Sequence, residues 1–504
     1  MSTPDPDPPP GNDGRGQVQD EVQRGAVVNA LGLAAKVTGP LFLLVVTRLY
    51  GAEVFGVFVS AAALVEIALA LLTSGFRDAA VRYVARYAES DRARLYDALA
   101  NTLGLSIGGA MLLAAATQVV AVPIVRALYD FGDVLAPAVQ VMALALPLMA
   151  FERIVLAATQ GLRIMKYEAF FGGALKSLIL LVMAYALHLA MPTVQGLVIA
   201  WMLAQATSSF VALAIYGREF AWRPLGHAFR RFRLDRKLLS FAIPQNLNMT
   251  LNRFLTGVDV LMLGALGASA AAVGTYGAGA AVVREIRQVR LAFSSALAPQ
   301  IARLYGQGER EALSRVYSTT ARWTATLGIP LLLAVAVLHT DLLRVFYPDY
   351  EDAAAFMLWL LLIPYLSTGF GLAGNVVVMT GHSRLNLFNS VSSGIINVAL
   401  NFVLIPRFGL VGAAAASALG SLVTTVLQLF EAHWIVGVSM QLGVIYRPHV
   451  AGLVGLGVVV GIALAVPLPS MPLGYRIGAA LAGAVVYGLV LWALTGRPGP
   501  PEAV

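Results

Sequence analysis

"NVALNFVLIPRFGLVGAAAASAL", residues 397–419, decides how the chain is read. The run is almost wholly apolar, yet it carries Asn397, Asn401, Pro406 and Arg407. The two asparagines are four apart, so they share one face of a helix. Ile405-Pro406-Arg407-Phe408-Gly409 then reads as a tight external turn between two antiparallel helices, where proline and glycine are favoured. The small residues at 412–418 suit close helix packing. The asparagines are expected to hydrogen-bond a neighbouring helix, with direct substrate contact as the alternative.

Composition decides between a membrane hairpin and a soluble core. Of 504 residues, 58% are hydrophobic and only 12% charged, about half the charge of an ordinary soluble protein. Segments of about 20 apolar residues recur along the whole chain, the length that crosses a bilayer. A polytopic helical membrane protein needs charge only in its loops. Cysteine is absent, which excludes disulfides, thiolate metal sites and thiol catalysis. Residues 1–24, rich in Pro, Asp and Gly with no apolar core, read as a disordered tail rather than a signal peptide.

Apolar windows between charged or Pro/Gly breaks give about fourteen spans. Lys and Arg concentrate in alternate connections. The one after span two holds Arg77, Arg82, Arg86, Arg92 and Arg94, and the one after span six holds "RRFRLDRK". The connections after spans five and seven, "MPTV" and "GASAA", hold none. An excess of Lys/Arg marks the cytoplasmic side, so both termini are expected there. The same distribution accounts for the net charge of +8 without a nucleic acid partner. "RRFRLDRK" itself reads as a cytoplasmic connector, with binding of nucleic acid or anionic lipid headgroups as the other reading.

Internal repeats organise the spans. "YVARYAESDRARLYDAL" after span two corresponds to "QIARLYGQGEREALSRVY" after span eight, an offset of about 217 residues. "IVRALYD" corresponds in the same way to "LLRVFYP". The expected fold is all-α and membrane-integral, with two six-helix bundles related by a pseudo-two-fold axis and two additional C-terminal helices. The expected limits are a cytoplasmic tail at 1–24, bundles at 25–217 and 239–434, a basic cytoplasmic linker at 218–238, two helices within 449–494 and a tail at 495–504.

Two stretches carry a family resemblance. The first runs Arg48-Leu49, Gly51, Phe55-Gly56, Phe58, Gly75 and Arg82-Tyr83. The second is the opening stretch, with Asn397, Asn401, Leu404-Ile405-Pro406, Phe408-Gly409 and 412–414. Together the chain resembles the polysaccharide flippases of the multidrug/oligosaccharidyl-lipid/polysaccharide (MOP) exporter superfamily. The resemblance implies a monomer in the plasma membrane that moves a lipid-linked oligosaccharide or polyprenyl-phosphate sugar between leaflets. It also implies a central cavity lined by helices one, two, seven and eight.

Intramembrane polar groups are costly, about 2.5–3.5 kcal/mol for each charge at the bilayer centre, and so mark candidate sites. On the resemblance, Lys36, Glu66, Arg253, Asp259, Arg284 and Arg287 would line the cavity. Asn252 adds to a polar face with Gln245 and Asn248. Arg284 and Arg287 are three apart on one helical face, and arginine grips phosphate bidentately. Arg253 and Asp259 are six apart, too far round the helix to pair, so each needs another partner. Asp259 and Glu66 leave two readings open, a coupling cation or a structural pairing. Glu152, Arg153 and Lys176 read equally as inter-helix pairs. No metalloprotease, Walker or nucleophile-elbow motif occurs, so no enzyme activity or cofactor is expected. The alternative function is a cation-coupled multidrug antiporter of the same superfamily, which would favour cavity acids.

Overall fold

A computed structural model describes residues 13–169, 171, 175–347, 354–465 and 471–495, with side chains from residue 38 except at 169, 292, 296 and 383. Among these residues all regular structure is helical. Hydrocarbon supplies no partner for backbone N–H and C=O groups, and a helix satisfies them within one segment. Seven described helices are long and apolar enough to cross a membrane, or nine if two bent pairs each count as one span. The bent pairs are Gly132–Ala143 with Leu146–Gly161, at 46°, and Ala355–Phe370 with Leu372–Met379, at 53°. The helical segments fall in register with the predicted spans, consistent with fourteen. The protein is an all-α membrane protein.

Two long helices each contain a break at one glycine. Asp13–Tyr87 is interrupted at Gly51, with φ 80°, and Ser383–Glu431 at Gly409, with φ 53°. Both values lie in the left-handed region that glycine reaches without the steric penalty of a Cβ. The helix persists through Ile405-Pro406-Arg407-Phe408 and reverses at Gly409 alone, tighter than the five-residue turn read from the sequence. Contacts across the break show a hairpin. A Cβ on Gly412 would lie 2.2 Å from the Leu404 carbonyl oxygen. Further from the turn, Asn397 donates to Ser417, Ser393 to the Gly420 carbonyl and Asn389 to Glu431. As one partner's number falls the other's rises, which is antiparallel packing. At the N-terminal side the helix begins at Asp13, so the described part of the expected tail, 13–24, is helical backbone.

The chain divides into two compact units. The first contains the chain up to Val46, Leu71–Ala115 and Ala143–Asn246; the second contains Thr47–Ala70, Ala116–Met142 and the chain from Leu247. The core of the first unit gathers Phe76, Leu99, Ile154 and Tyr216 with Leu225 and Leu238 of the basic linker region. Glu152 accepts hydrogen bonds from Gln205 and Ser208, tying Leu146–Gly161 to Val194–Glu219. Gly75 donates its N–H to Asn246 at 2.6 Å, and a Cβ there would lie 1.9 Å from the Ala242 carbonyl oxygen.

In the second unit, 47–70 and 116–142 pack with the C-terminal half of the chain rather than with 71–115. Local contacts explain this. Arg48 donates to the carbonyls of Val345 and Arg344, and the Tyr129 hydroxyl donates to the Leu261 carbonyl at 3.1 Å. Backbones at 52–56 and 270–274 nearly touch: a Cβ on Gly56 would lie 1.7 Å from the Ala270 oxygen, and one on Gly274 would lie 2.1 Å from the Ala52 oxygen. Such small-residue crossings replace hydrophobic driving force in membranes with van der Waals packing. Apolar side chains cover the outside, with Leu112 75% and Leu464 84% exposed, as lipid contact requires.

The packing gives a direct test. Gly56→Ala must push against backbone, and overpacking costs about 1–3 kcal/mol. Gly108 has nothing within 4 Å of an added Cβ, so Gly108→Ala is expected to leave stability unchanged or raise it. The melting temperatures of the two purified variants in detergent should therefore move apart, with Gly56→Ala lower.

Candidate functional site

Helix Arg236–Ala265 places Asn252, Leu255, Thr256 and Asp259 on one face by its i, i+3, i+4, i+7 spacing. Helix Ala270–Gly306 begins at an N-cap, Ser269, whose side chain accepts the Ala272 N–H, and presents Tyr276, Ala280, Val283, Arg284 and Arg287 along one stripe. These two stripes, with Leu360, Ile363 and Pro364 and the facing walls of the 383–431 hairpin, enclose a cavity of about 280 Å³ in the second unit. That is near the low end of the roughly 300–1,000 Å³ usual for small-molecule pockets.

Asp259 forms one wall and is surrounded by donors. Asn397 and Asn401 donate their amides to Oδ1 at 3.3 and 3.1 Å, and the Tyr276 hydroxyl donates to Oδ2 at 3.2 Å. Ser417 also donates to Oδ2. Asn401 further donates to Asn397 Oδ1 at 3.1 Å, so the two amides form a chain ending on the carboxylate. The polar stripe of the hairpin therefore bonds a neighbouring helix. The Oδ1 oxygen of Asn401 is buried without a hydrogen-bond partner.

The lining also carries cations. Arg284 and Arg287 line the cavity one helical turn apart, and among the described residues neither makes an ion pair. Arg290, the next residue of the stripe, makes a long contact of 3.5 Å to Ser294 and lies outside the lining. A guanidinium pair facing a half-open cavity without an ion-pair partner among the described residues suits an anionic guest.

Four of the predicted residues meet at this cavity: Asn252, Asp259, Arg284 and Arg287. Glu66 and Arg253 do not line it and instead pair with each other, Oε2 to Nη2 at 3.2 Å. The side chain of Lys36 lies outside the described residues. Sequence reasoning missed Tyr276 and Ser417. Ser417 was hidden in a run read as packing surface, although a hairpin reversing near Gly409 sets it opposite Asn397. Tyr276, the aromatic in "VGTYGAGAA", carried a weaker signal, a lone hydroxyl in a small-residue helix.

Removing the acceptor strands four donors. Asp259→Leu is expected to destabilise the purified protein by about 1–3 kcal/mol, the cost of unsatisfied buried partners. Asp259→Asn retains one acceptor oxygen and should melt between Asp259→Leu and the unaltered protein. Glu66→Gln breaks a pair whose arginine is 48% exposed and should cost about 1 kcal/mol or less.

Comparison with known proteins places this architecture. The family model described as "Polysaccharide biosynthesis protein" matches residues 22–305, and the MatE model matches 244–403. A probable low-salt glycan biosynthesis flippase, Agl15, of Haloferax volcanii is 26% identical over 225 residues, 43% of this chain. That match spans 46% of the relative's length, so the chain spans about half of the curated relative. Among solved structures, the lipid II flippase MurJ in an inward closed conformation is similar with a TM-score of 0.75 at 11% identity, covering 93% of this chain and 98% of that one. A multidrug-resistance MATE transporter of the MOP superfamily, inward-facing, gives 0.65 at 14% identity, covering 79% and 94%. At these identities the structural likeness concerns the fold, whereas the first family model extends over more than half of the sequence. The chain belongs to the polysaccharide biosynthesis protein family.

Proposed function

We propose that the protein carries a lipid-linked oligosaccharide or a polyprenyl-phosphate sugar from the cytoplasmic to the outer leaflet of the plasma membrane. The observation that carries the reading is the pair Arg284 and Arg287, facing a cavity with no ion-pair partner among the described residues. Lipid-linked glycans hold phosphate or pyrophosphate between lipid and sugar, and paired guanidiniums match that group in charge and geometry. The cavity's carboxylate, Asp259, is already engaged by four hydrogen-bond donors. A cationic drug would meet two free arginines and a satisfied acid, which disfavours the multidrug antiporter. The volume of about 280 Å³ suits the phosphate-bearing headgroup region rather than a whole oligosaccharide.

In this reading the bundles 25–217 and 239–434 rock against one another to give alternating access, both termini are cytoplasmic, and the monomer is the working unit. Translocation breaks no covalent bond. The arginines bind the headgroup phosphate, and the polyprenyl tail stays in the bilayer. A coupling cation at Asp259 would have to displace some of the four donors that engage the carboxylate, which then becomes an oxygen ligand suited to a hard cation. Binding there would neutralise the carboxylate.

Deletion of the gene should cause cytoplasmic-leaflet lipid-linked sugar to accumulate. The intact protein should clear it, whereas Arg284→Ala/Arg287→Ala should leave it at least ten-fold uncleared, about 1.4 kcal/mol or more in headgroup binding. Unchanged lipid-linked sugar on deletion and an altered sensitivity to cationic drugs would favour the antiporter. In proteoliposomes, transport should rise with an imposed Na⁺ or H⁺ gradient, and Asp259→Asn should abolish that response. A response retained in Asp259→Asn would remove the cation from this site.

A further inference from the structure

The basic stretch between the two sequence repeats is folded, and it builds a second site. Helix Trp222–Arg230 buries Leu225 and Ala228 in the core of the first unit. Its start is fixed by the Tyr96 hydroxyl, which accepts the Ala221 N–H at 2.9 Å. The chain beyond it is pinned by buried Asn101, whose amide donates to the Arg233 carbonyl at 3.0 Å while its Oδ1 accepts the Asp235 N–H at 3.2 Å. Asp235 in turn accepts the N–H groups of Lys237 and Leu238. Phe229 and Phe232 close over Gly104, 3.1 and 3.3 Å from where its Cβ would stand. These contacts fix the backbone that carries the basic side chains.

Between this scaffold and the start of helix Arg92–Leu128 lies a cavity of about 1,360 Å³. Arg92, Arg94, Arg230, Arg231, Arg233 and Lys237 line it, against two carboxylates, Asp97 and Asp235. Arg94 is held by Asp91 at 3.3 Å, and among the described residues the other five cations make no ion pair. Asp235 spends its Oδ1 on backbone. Like charges converging from two segments more than a hundred residues apart repel one another unless an anion joins them. Nearby, Trp222, Phe232 and Leu234 are 48%, 40% and 56% exposed. An amphipathic helix with basic residues and exposed aromatics is the pattern of an element lying in the headgroup region, where basic pockets bind phosphorylated headgroups.

We propose that this pocket is a binding site for a phosphate-bearing anion, supplied by the headgroup of an anionic membrane lipid, distinct from the Arg284–Arg287 cavity. The bound phosphate would bridge the linker at 230–237 to the start of helix Arg92–Leu128 and hold the linker at the membrane surface.

The test uses the full chain in neutral detergent, with dioctanoyl phosphatidylglycerol as probe and affinity read by microscale thermophoresis. Saturable binding is expected. Arg230→Gln/Arg231→Gln/Arg233→Gln should weaken it about 100-fold, the combined effect of three cations near a headgroup. The matching triple Arg→Lys variant, which keeps the charge, should stay within a few-fold, separating charge loss from misfolding. Arg284→Gln/Arg287→Gln should bind as the unaltered protein does. Displacement of the probe by equimolar inorganic pyrophosphate would overturn the lipid as the source in favour of a soluble phosphate; failure to displace would support the lipid. The proposal is overturned if the Gln variant binds normally, if dioctanoyl phosphatidylcholine binds as tightly, if the Arg284/Arg287 variant alone loses binding, or if neither anion saturates.

Discussion

Asp259 meets hydrogen-bond donors from three helices, and much of the second unit's polar interior is arranged by that one carboxylate. A buried acid without partners costs more than a helix–helix contact returns. Four donors converge on it: Tyr276 from the following helix, Asn397 and Asn401 from one arm of the hairpin, and Ser417 from the other. The hairpin can deliver both arms only because it reverses within one residue at Gly409. Gly412 then lets the arms approach to within a carbonyl's contact.

With Asp259 satisfied internally, the remaining charge of the cavity is positive. Arg284 and Arg287 stand on the stripe that carries Tyr276, so the helix that completes the acid's shell also delivers the arginines. The site thus separates its two signs of charge. The acid is engaged with protein groups, and among the described residues the guanidiniums make no ion pair. In the first unit Asn101 and Asp235 likewise direct their side chains to backbone groups, and among the described residues Arg92, Arg230, Arg231 and Arg233 make no ion pair.

Several residues could be read before any coordinates. The inability of Arg253 and Asp259 to pair follows from helical geometry, and each does find another partner, Glu66 for the arginine and the amide–hydroxyl cluster for the acid. Arg284 and Arg287 follow from their spacing and from the cost of charge in a bilayer. Ser417 did not, because a serine in a small-residue run serves packing equally well, and only the hairpin register sets it against Asn397. The segments 47–70 and 116–142 followed the repeat in sequence, yet they pack with the C-terminal half. Glycine contacts at Gly56 and Gly274 and single hydrogen bonds from Arg48 and Tyr129 decide that packing, and none of these has a periodic signature.

By itself the sequence determined the solvent, the secondary structure and the candidate charges. Low charge and recurring apolar runs mark a membrane protein, and runs of about 20 residues cross a bilayer as helices. The tertiary structure alone decided which polar groups engage one another and which line a cavity without an ion pair among the described residues. Pairing in a low-dielectric interior depends on distances of a few ångströms between helices far apart in the chain. Helical periodicity fixes the face on which a residue lies, but not the helix it meets.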